Sequence, residues 1–192
     1  MTLSWVLQTA FETISAPGTV ARQLLDMRLG RHALLMSFAL VAVLNTLVFS
    51  ASVLTLPQDD MTRQVFGSPL VFMAIFMGTL AVTTVALTWV GRMLGGTADL
   101  FQMATLTIWM QVLRFLAQVG LAVLSWISVA LASFAVVAVS VLGLWILLNF
   151  VNVAHGFGSL VRSAVVLIGS VFGMAMVLTV LLTLAGLGTT GP

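Results

Sequence analysis

Hydrophobic residues occupy long, nearly uninterrupted blocks of the chain, with few polar positions inside them. The blocks run from about residue 33 to 56, 69 to 90, 103 to 153 and 163 to 185. Three of them have the roughly 20 residues that an α-helix needs to cross the ~30 Å hydrocarbon core of a bilayer. The pattern therefore predicts transmembrane helices.

The third block is too long for a single span. A helix over its whole length would measure about 75 Å at 1.5 Å per residue. We expect it to reverse once, near Trp126–Ala130, which leaves one span over 103–125 and another over 130–153. The chain then has five spans, and the predicted fold is an all-α polytopic membrane bundle.

Composition supports this class and excludes several others. Hydrophobic residues make up 61% of the 192 residues and charged residues 6%, whereas a soluble domain has roughly 25% charged residues. The chain has no Cys, so it is not a disulfide scaffold. A nucleic-acid partner is not expected, because DNA-binding surfaces need clustered Lys and Arg and the seven Arg here are scattered.

The arginines are distributed unevenly between the two sides of the predicted membrane domain. Five lie on the side of the N-terminal segment and of the loops 91–102 and 154–162, and the opposite side carries only Arg63. The five are Arg22, Arg28, Arg31, Arg92 and Arg162. Because Arg and Lys are enriched in cytoplasmic loops, we predict a cytoplasmic N-terminus and a periplasmic C-terminus.

Residues 1–32 precede the predicted membrane domain at 33–186, and a short tail follows at 187–192. Apolar residues in the first part of this segment recur at helical spacing, at Leu3, Val6, Leu7, Ala10, Phe11 and Ile14. Pro17 and Gly18 interrupt the pattern, and a second short helix is expected over about 20–29. This amphipathic segment could lie on the cytoplasmic leaflet, or it could pack the same apolar face against the loops of the bundle.

Arg114 is the most informative candidate site residue, because it falls near the middle of the predicted third span. A charge there costs ~2.5 kcal/mol or more on insertion scales. Thr107, Gln111 and Gln118 share a wedge of about 60° with it on a helix, and no acidic residue lies inside any span. The stripe could contact a lipid, a ligand or a partner, or it could be a structural hydrogen-bond hub. In both cases we expect Arg114 to lie inside the bundle.

Other candidate sites are weaker. Gly169 and Gly173 form a GxxxG pattern that permits close helix packing, within the chain or between two chains. His32 and His155 fall near predicted span ends, so haem ligation by both is a distant hypothesis, and His155 is expected to terminate the fourth span. No HExxH, GxSxG or Walker A motif occurs, and we predict no catalytic, metal or cofactor site.

Several motifs together resemble a known family of membrane proteins. They are the Pro17 segment, Gly95-Gly96-Thr97-Ala98-Asp99, Trp109-Met110-Gln111-Val112-Leu113-Arg114, Leu144-Trp145, Asn149-Phe150 and Ala154-His155-Gly156-Phe157-Gly158-Ser159. In their order and spacing over about residues 15–185, the chain resembles bacterial members of the Yip (Ypt-interacting protein) family. The resemblance implies a five-span bundle of the bacterial inner membrane with a cytoplasmic N-terminus.

The resemblance also bears on partners. Eukaryotic members of the family bind prenylated Rab GTPases, but this chain has no Tyr for their Tyr-containing motifs and has a short N-terminal segment, so small-GTPase binding is not expected. The leading hypothesis is a non-enzymatic scaffold or accessory subunit that contacts membrane lipids and other membrane subunits. The alternative is a small transporter or lipid-handling protein that uses the Arg114 stripe. A haem-binding membrane protein is the third hypothesis.

Overall fold

A computed structural model describes residues 3–55 and 68–184 of the chain. Within these residues the secondary structure is helical, with no strand, which confirms the all-α prediction. The helices are α1 (Leu3–Ser15), α2 (Pro17–Asp26), α3 (Arg31–Thr55), α4 (Pro69–Met93), α5 (Leu100–Ile127), α6 (Val129–His155) and α7 (Leu160–Leu184). The predicted loop 57–67 and the predicted tail 187–192 lie outside the described residues.

Helices α3 to α7 are the membrane-spanning elements. Each has between 25 and 28 residues, and among the described residues these five are long and apolar enough to cross a bilayer. At 1.5 Å per residue they are about 37 to 42 Å long. The prediction of a five-span, multi-pass membrane protein is therefore confirmed.

The reversal between α5 and α6 takes a single residue, Ser128, inside the range that the sequence predicted. Ser128 has an extended backbone (φ −160°, ψ 119°) and its hydroxyl accepts a hydrogen bond from the amide of Leu131 at 3.3 Å. Its own amide donates to the carbonyl of Leu124 at 2.9 Å. The serine thus closes one helix and caps the next, as its preference for N-cap positions explains.

Arginines at several helix ends lie at the same end of the bundle. Arg31 at the start of α3 lies over the ring of Phe101 at the start of α5, 5.7 Å from its centroid. Leu94, just after α4, and Arg162 in α7 line one shallow pocket. We call this the arginine end of the bundle.

The buried core is concentrated at the arginine end. Fully or nearly fully buried side chains include Leu87, Met103, Leu106, Phe150 and Val166. Near Ser128, in contrast, large apolar side chains face outward, such as Trp126 (89% exposed) and Phe134 (77% exposed). We therefore distinguish a packed half of the bundle, at the arginine end, from an open half, toward Ser128.

The N-terminal segment forms two helices that pack beside the arginine end. Helix α2 buries Val20, Ala21 and Leu24 in the main core, against α5 and α6. Its first residue is Pro17, which suits the first turn of a helix because an amide hydrogen is not needed there. Helix α2 is thus part of the core of the bundle.

Helix α1 turns most of its apolar face away from the bundle. Leu3, Leu7, Phe11 and Ile14 are all exposed, whereas Thr9 and Thr13 on the other side are buried. Val6, at the edge of the same face, packs against the main core, so the face is divided between the bundle and the surroundings, and its contact with the cytoplasmic leaflet stays a prediction. The threonines can be buried because hydrogen bonds satisfy their hydroxyl groups, as the Thr13 hydroxyl shows by donating to the carbonyl of Thr9 at 2.7 Å.

Candidate functional site

The predicted polar stripe on α5 is divided between the interior and the surface of the bundle. Thr107 is buried, and its hydroxyl oxygen lies 2.9 Å from that of Thr84 in α4. Each threonine also has the carbonyl four residues earlier within hydrogen-bond distance. Thr107 is therefore a contact between helices and not part of an exposed polar surface.

Arg114 lies on the surface, contrary to the prediction that it lies inside the bundle. Its side chain is exposed, and it makes no hydrogen bond or ion pair with any residue in the described ranges 3–55 and 68–184. The expectation failed because α5 is enclosed only near the arginine end. Met103 and residues 105–109 are buried, whereas residues 110–118 are half-buried or exposed. A shared helical face does not imply shared surroundings when only part of the helix is covered by its neighbours.

The two glutamines beside Arg114 have unusual surroundings. The Oε1 atoms of Gln111 and Gln118 are both inaccessible to solvent, and neither has a hydrogen-bond partner within the part of the chain that the structure describes. A buried acceptor without a donor costs about 1–3 kcal/mol. Gln111, Arg114 and Gln118 therefore form a polar stretch of α5 whose hydrogen-bonding capacity residues 3–55 and 68–184 leave unfilled. We call these three residues the α5 polar patch.

A second cluster, at the arginine end, is built around His155, the last residue of α6. The ring is 1% exposed and lies between two glycines: a Cβ added at Gly91 or at Gly96 would overlap the imidazole. Its Nε2 is 3.2 Å from the carbonyl oxygen of Leu87. Because a carbonyl oxygen only accepts, Nε2 carries the proton in this contact. We call His155, Gly91 and Gly96 the histidine junction.

The loops on both sides of the junction are tied to it. The amide and the hydroxyl of Thr97 lie 3.2 Å and 3.4 Å from the carbonyl oxygen of His155, to which both donate. Gly156 then ends α6 with φ +66°, a left-handed conformation that glycine adopts without strain. The ring of Phe157 stacks on that of His155, with centroids 5.1 Å apart. The prediction that His155 terminates the fourth span is confirmed.

The start of α5 and the loop before it are also fixed. The Asp99 carboxylate accepts from the amide of Gln102 at 2.7 Å, and the Gln102 side chain accepts from the amide of Asp99 at 2.9 Å, which is a capping box. The Arg92 Nε donates to the carbonyl of Ala98 at 2.8 Å. The loop 94–99 is therefore held at both ends.

Trp109 connects α1 to this end of the bundle. Its indole Nε1 donates to the hydroxyl of Thr13 at 3.2 Å, and its ring meets that of Trp5 edge to face, with centroids 5.8 Å apart. A tryptophan within a span is thus buried by the N-terminal segment.

The remaining candidate residues do not form a ligand site. His32 is exposed, whereas the Nδ1 of His155 is buried without a partner and faces the Gly96 position. The enclosed ring leaves no room for a haem iron at Nδ1, and Nε2 is engaged, so His155 does not fit the haem hypothesis. No cluster of three or more His, Cys, Asp or Glu that could hold a metal occurs among the described residues.

The GxxxG glycines lie in different surroundings. A Cβ at Gly169 would come within 3.1 Å of Val90 in α4, whereas one at Gly173 would meet nothing within 4 Å in the described part of the chain. Gly169 thus permits the approach of α4 and α7 inside the bundle. Gly173 is exposed, and its role in packing stays a prediction.

Comparison with known proteins extends these observations. No curated protein and no solved structure matches the chain. The sequence model of the Yip1 domain, in contrast, matches residues 11–182. That range runs from α1 to the last turn of α7 and includes both the histidine junction and the α5 polar patch. Since the match covers most of the chain, this multi-pass membrane protein belongs to the Yip1 domain family.

Proposed function

We propose that the protein is a non-enzymatic scaffold or accessory subunit of a larger assembly in the bacterial inner membrane. The observation that carries this proposal is the exposed Arg114 in the middle of a membrane-spanning helix. An arginine facing lipid near the centre of the bilayer costs ~2.5–3.5 kcal/mol on insertion scales. A partner helix that supplies acceptors to the guanidinium would offset this cost.

The neighbours of Arg114 support the same conclusion. The unfilled acceptors of Gln111 and Gln118 lie one turn on either side of it. A partner helix with an acidic or amide side chain near Arg114 would pair its guanidinium, and its donors would reach the glutamine Oε1 atoms once these two side chains rotate outward. Hydrogen bonds of this kind between helices are a common means of association in membranes, each contributing about 1 kcal/mol. The transporter alternative has less support, because Arg114 faces outward from the bundle.

The experiment is to extract the protein in mild detergent and measure the mass of the intact complex by native mass spectrometry. We expect wild type to exceed the 20.4 kDa of one chain, and Arg114→Leu to lose the larger species while its thermal stability is kept or raised. Arg22→Leu is the matched control, since Arg22 is also exposed but lies in α2. It should leave the complex intact.

The outcomes separate the alternatives. A wild-type mass that is a multiple of one chain would identify a second copy as the partner, and an excess too large for bound lipid that is not such a multiple would identify a different subunit. If wild type is monomeric, or if Arg114→Leu leaves the larger species unchanged, the proposal is wrong. A loss of stability in Arg114→Leu would instead indicate a structural hub.

We also propose that the arginine end faces the cytoplasm. Five arginines belong to this side and one to the other, which is the bias that orients inner-membrane proteins. A reporter inserted in the loop 94–99 should then be active as a cytoplasmic enzyme, and one fused after Pro192 should be periplasmic. Reporters on the same side of the membrane would contradict the five-span topology.

A further inference from the structure

Helices α3, α4 and α5 leave a groove of about 620 Å³ between them at the arginine end. Its floor consists of buried side chains, and its rim consists of exposed apolar ones. Leu34, Thr107 and Ile108 lie on the floor, and Leu35 and Val85 lie on the rim. The groove is thus an apolar channel on the side of the bundle.

The groove opens toward the bilayer. Its rim residues Leu35 (67% exposed) and Val85 (49% exposed) lie on spanning helices, where an exposed side chain meets lipid. The two hydroxyl groups in its floor, those of Thr84 and Thr107, are already hydrogen-bonded to each other or to their own helices. The floor therefore offers no unpaired polar group to water and suits a hydrocarbon chain.

The mouth of the groove carries a positive charge. Arg31, the first residue of α3, lines it together with Phe101, over whose ring the guanidinium lies. None of the acidic residues in the described ranges lines the groove, and Arg31 makes no ion pair there. Because the cation–π contact holds one face of the guanidinium, its edge remains available for bidentate hydrogen bonds to a phosphate.

We propose that this groove binds an anionic glycerophospholipid, with the phosphate on Arg31 and the first part of one acyl chain between α3, α4 and α5. This ligand class combines the two features that the groove requires, an anion at the mouth and a hydrocarbon in the channel. From Arg31 to Phe38 along α3 the groove extends about 10 Å into the bilayer. The lipid belongs to the leaflet at the arginine end.

The site is independent of the α5 polar patch, because Gln111, Arg114 and Gln118 do not line the groove. The two proposals can therefore fail separately. Loss of lipid binding would leave the assembly proposed for Arg114 untouched, and Arg114→Leu should leave lipid binding in the groove unchanged.

The test is native mass spectrometry of delipidated protein titrated with phosphatidylglycerol or with phosphatidylcholine in mixed micelles. We expect phosphatidylglycerol to bind at least about fivefold more tightly, and Arg31→Gln to remove that preference, since one arginine near an anionic lipid surface changes affinity by about this factor. Arg22→Gln, which removes an exposed arginine from α2, should keep the preference.

A second variant tests the channel without altering charge. Ala81 lies in the wall of the groove and is exposed, so Ala81→Phe should fill the channel and weaken binding of both lipids while the helical content stays the same. Inorganic phosphate should not displace the lipid at millimolar concentration. Equal binding of the two lipids by wild type, an unchanged preference in Arg31→Gln, or displacement by phosphate alone would each overturn the proposal.

Discussion

The packed half and the open half of this bundle are made of similar residues but are held in different ways. In the packed half, side chains meet across helices: the His155 ring fits against Gly91 and Gly96, and Trp109 bonds to Thr13. In the open half, large residues such as Phe134 and Trp126 point outward. Apolar composition therefore does not tell which part of a membrane bundle is specified by its own packing.

The difference follows from the solvent. In a bilayer, lipid tails are as apolar as leucine, so burying an apolar side chain between helices gains little over leaving it in lipid. Specific structure must come from close packing, from small residues and from hydrogen bonds. These features occur together at the arginine end, which is also where the loops and the N-terminal helices add further contacts.

The largest expected effect comes from adding one methyl group at the histidine junction. Gly91→Ala places a Cβ into the space of the His155 ring and should lower the free energy of unfolding in detergent by about 3 kcal/mol. Gly78→Ala in the same helix is the control, because its Cβ meets nothing within 4 Å in the described part of the chain. It should be neutral or stabilising by up to about 1 kcal/mol.

A double-mutant cycle makes this prediction specific. If the cost of Gly91→Ala arises from the ring, it should shrink in the background of His155→Ala, where the ring is absent. An equal cost in both backgrounds would show that Gly91 serves something other than the packing of His155. Thermal unfolding followed by circular dichroism supplies the measurement.

A smaller effect is expected from deleting a phenylalanine ring in each half. Phe150 is 1% exposed in the packed half. Phe150→Ala should lower the free energy of unfolding by about 2 kcal/mol, because it leaves a cavity, although moving an apolar side chain from lipid into the bundle gains less than moving it from water. Phe134→Ala, on the same helix in the open half, should cost less than about 0.5 kcal/mol. An equal loss of unfolding free energy in the two variants would mean that Phe134 is packed against another protein helix in the membrane.

The smallest effect concerns the link to α1. Trp109→Phe keeps the aromatic ring but removes the hydrogen bond to Thr13, and should cost about 1 kcal/mol. It should also increase proteolytic cleavage near Ser15, between α1 and α2. Trp126→Phe in the open half has no such bond to lose within the described residues and should change neither quantity. Unchanged cleavage in Trp109→Phe would show that α2 alone holds the N-terminal segment.

The fold could be predicted from the sequence because its determinants are local. Four apolar blocks, one of them long enough for two spans, the reversal around Ser128 and the periodicity of residues 3–14 can be recognised without knowledge of long-range contacts. The end of α6 at His155 could be predicted for the same reason, since Gly156, which ends the helix, follows it directly.

The sites could not be predicted so well because they depend on distant neighbours. The helical wedge that groups Thr107 with Arg114 is real, but only the first is covered by another helix. The roles of Gly91 and Gly96 depend on a ring more than 55 residues away in the chain. One signal in the sequence could have drawn attention to them. Gly91 and Gly96 lie at the end of the second predicted span and His155 at the end of the fourth, and both of these ends are predicted on the same side of the membrane.

The single-residue turn at Ser128 has a consequence for how the chain enters the membrane. Helices α5 and α6 are 28 and 27 residues long, and the residues at their junction, from Trp126 to Leu131, carry no charge. A helical hairpin with an uncharged tip can be translocated as one unit, since no charged loop has to cross the hydrocarbon core. The charge pattern thus permits the two helices to insert together, and Arg114 is the single charged side chain that this hairpin brings into the bilayer between Asp99 and Arg162.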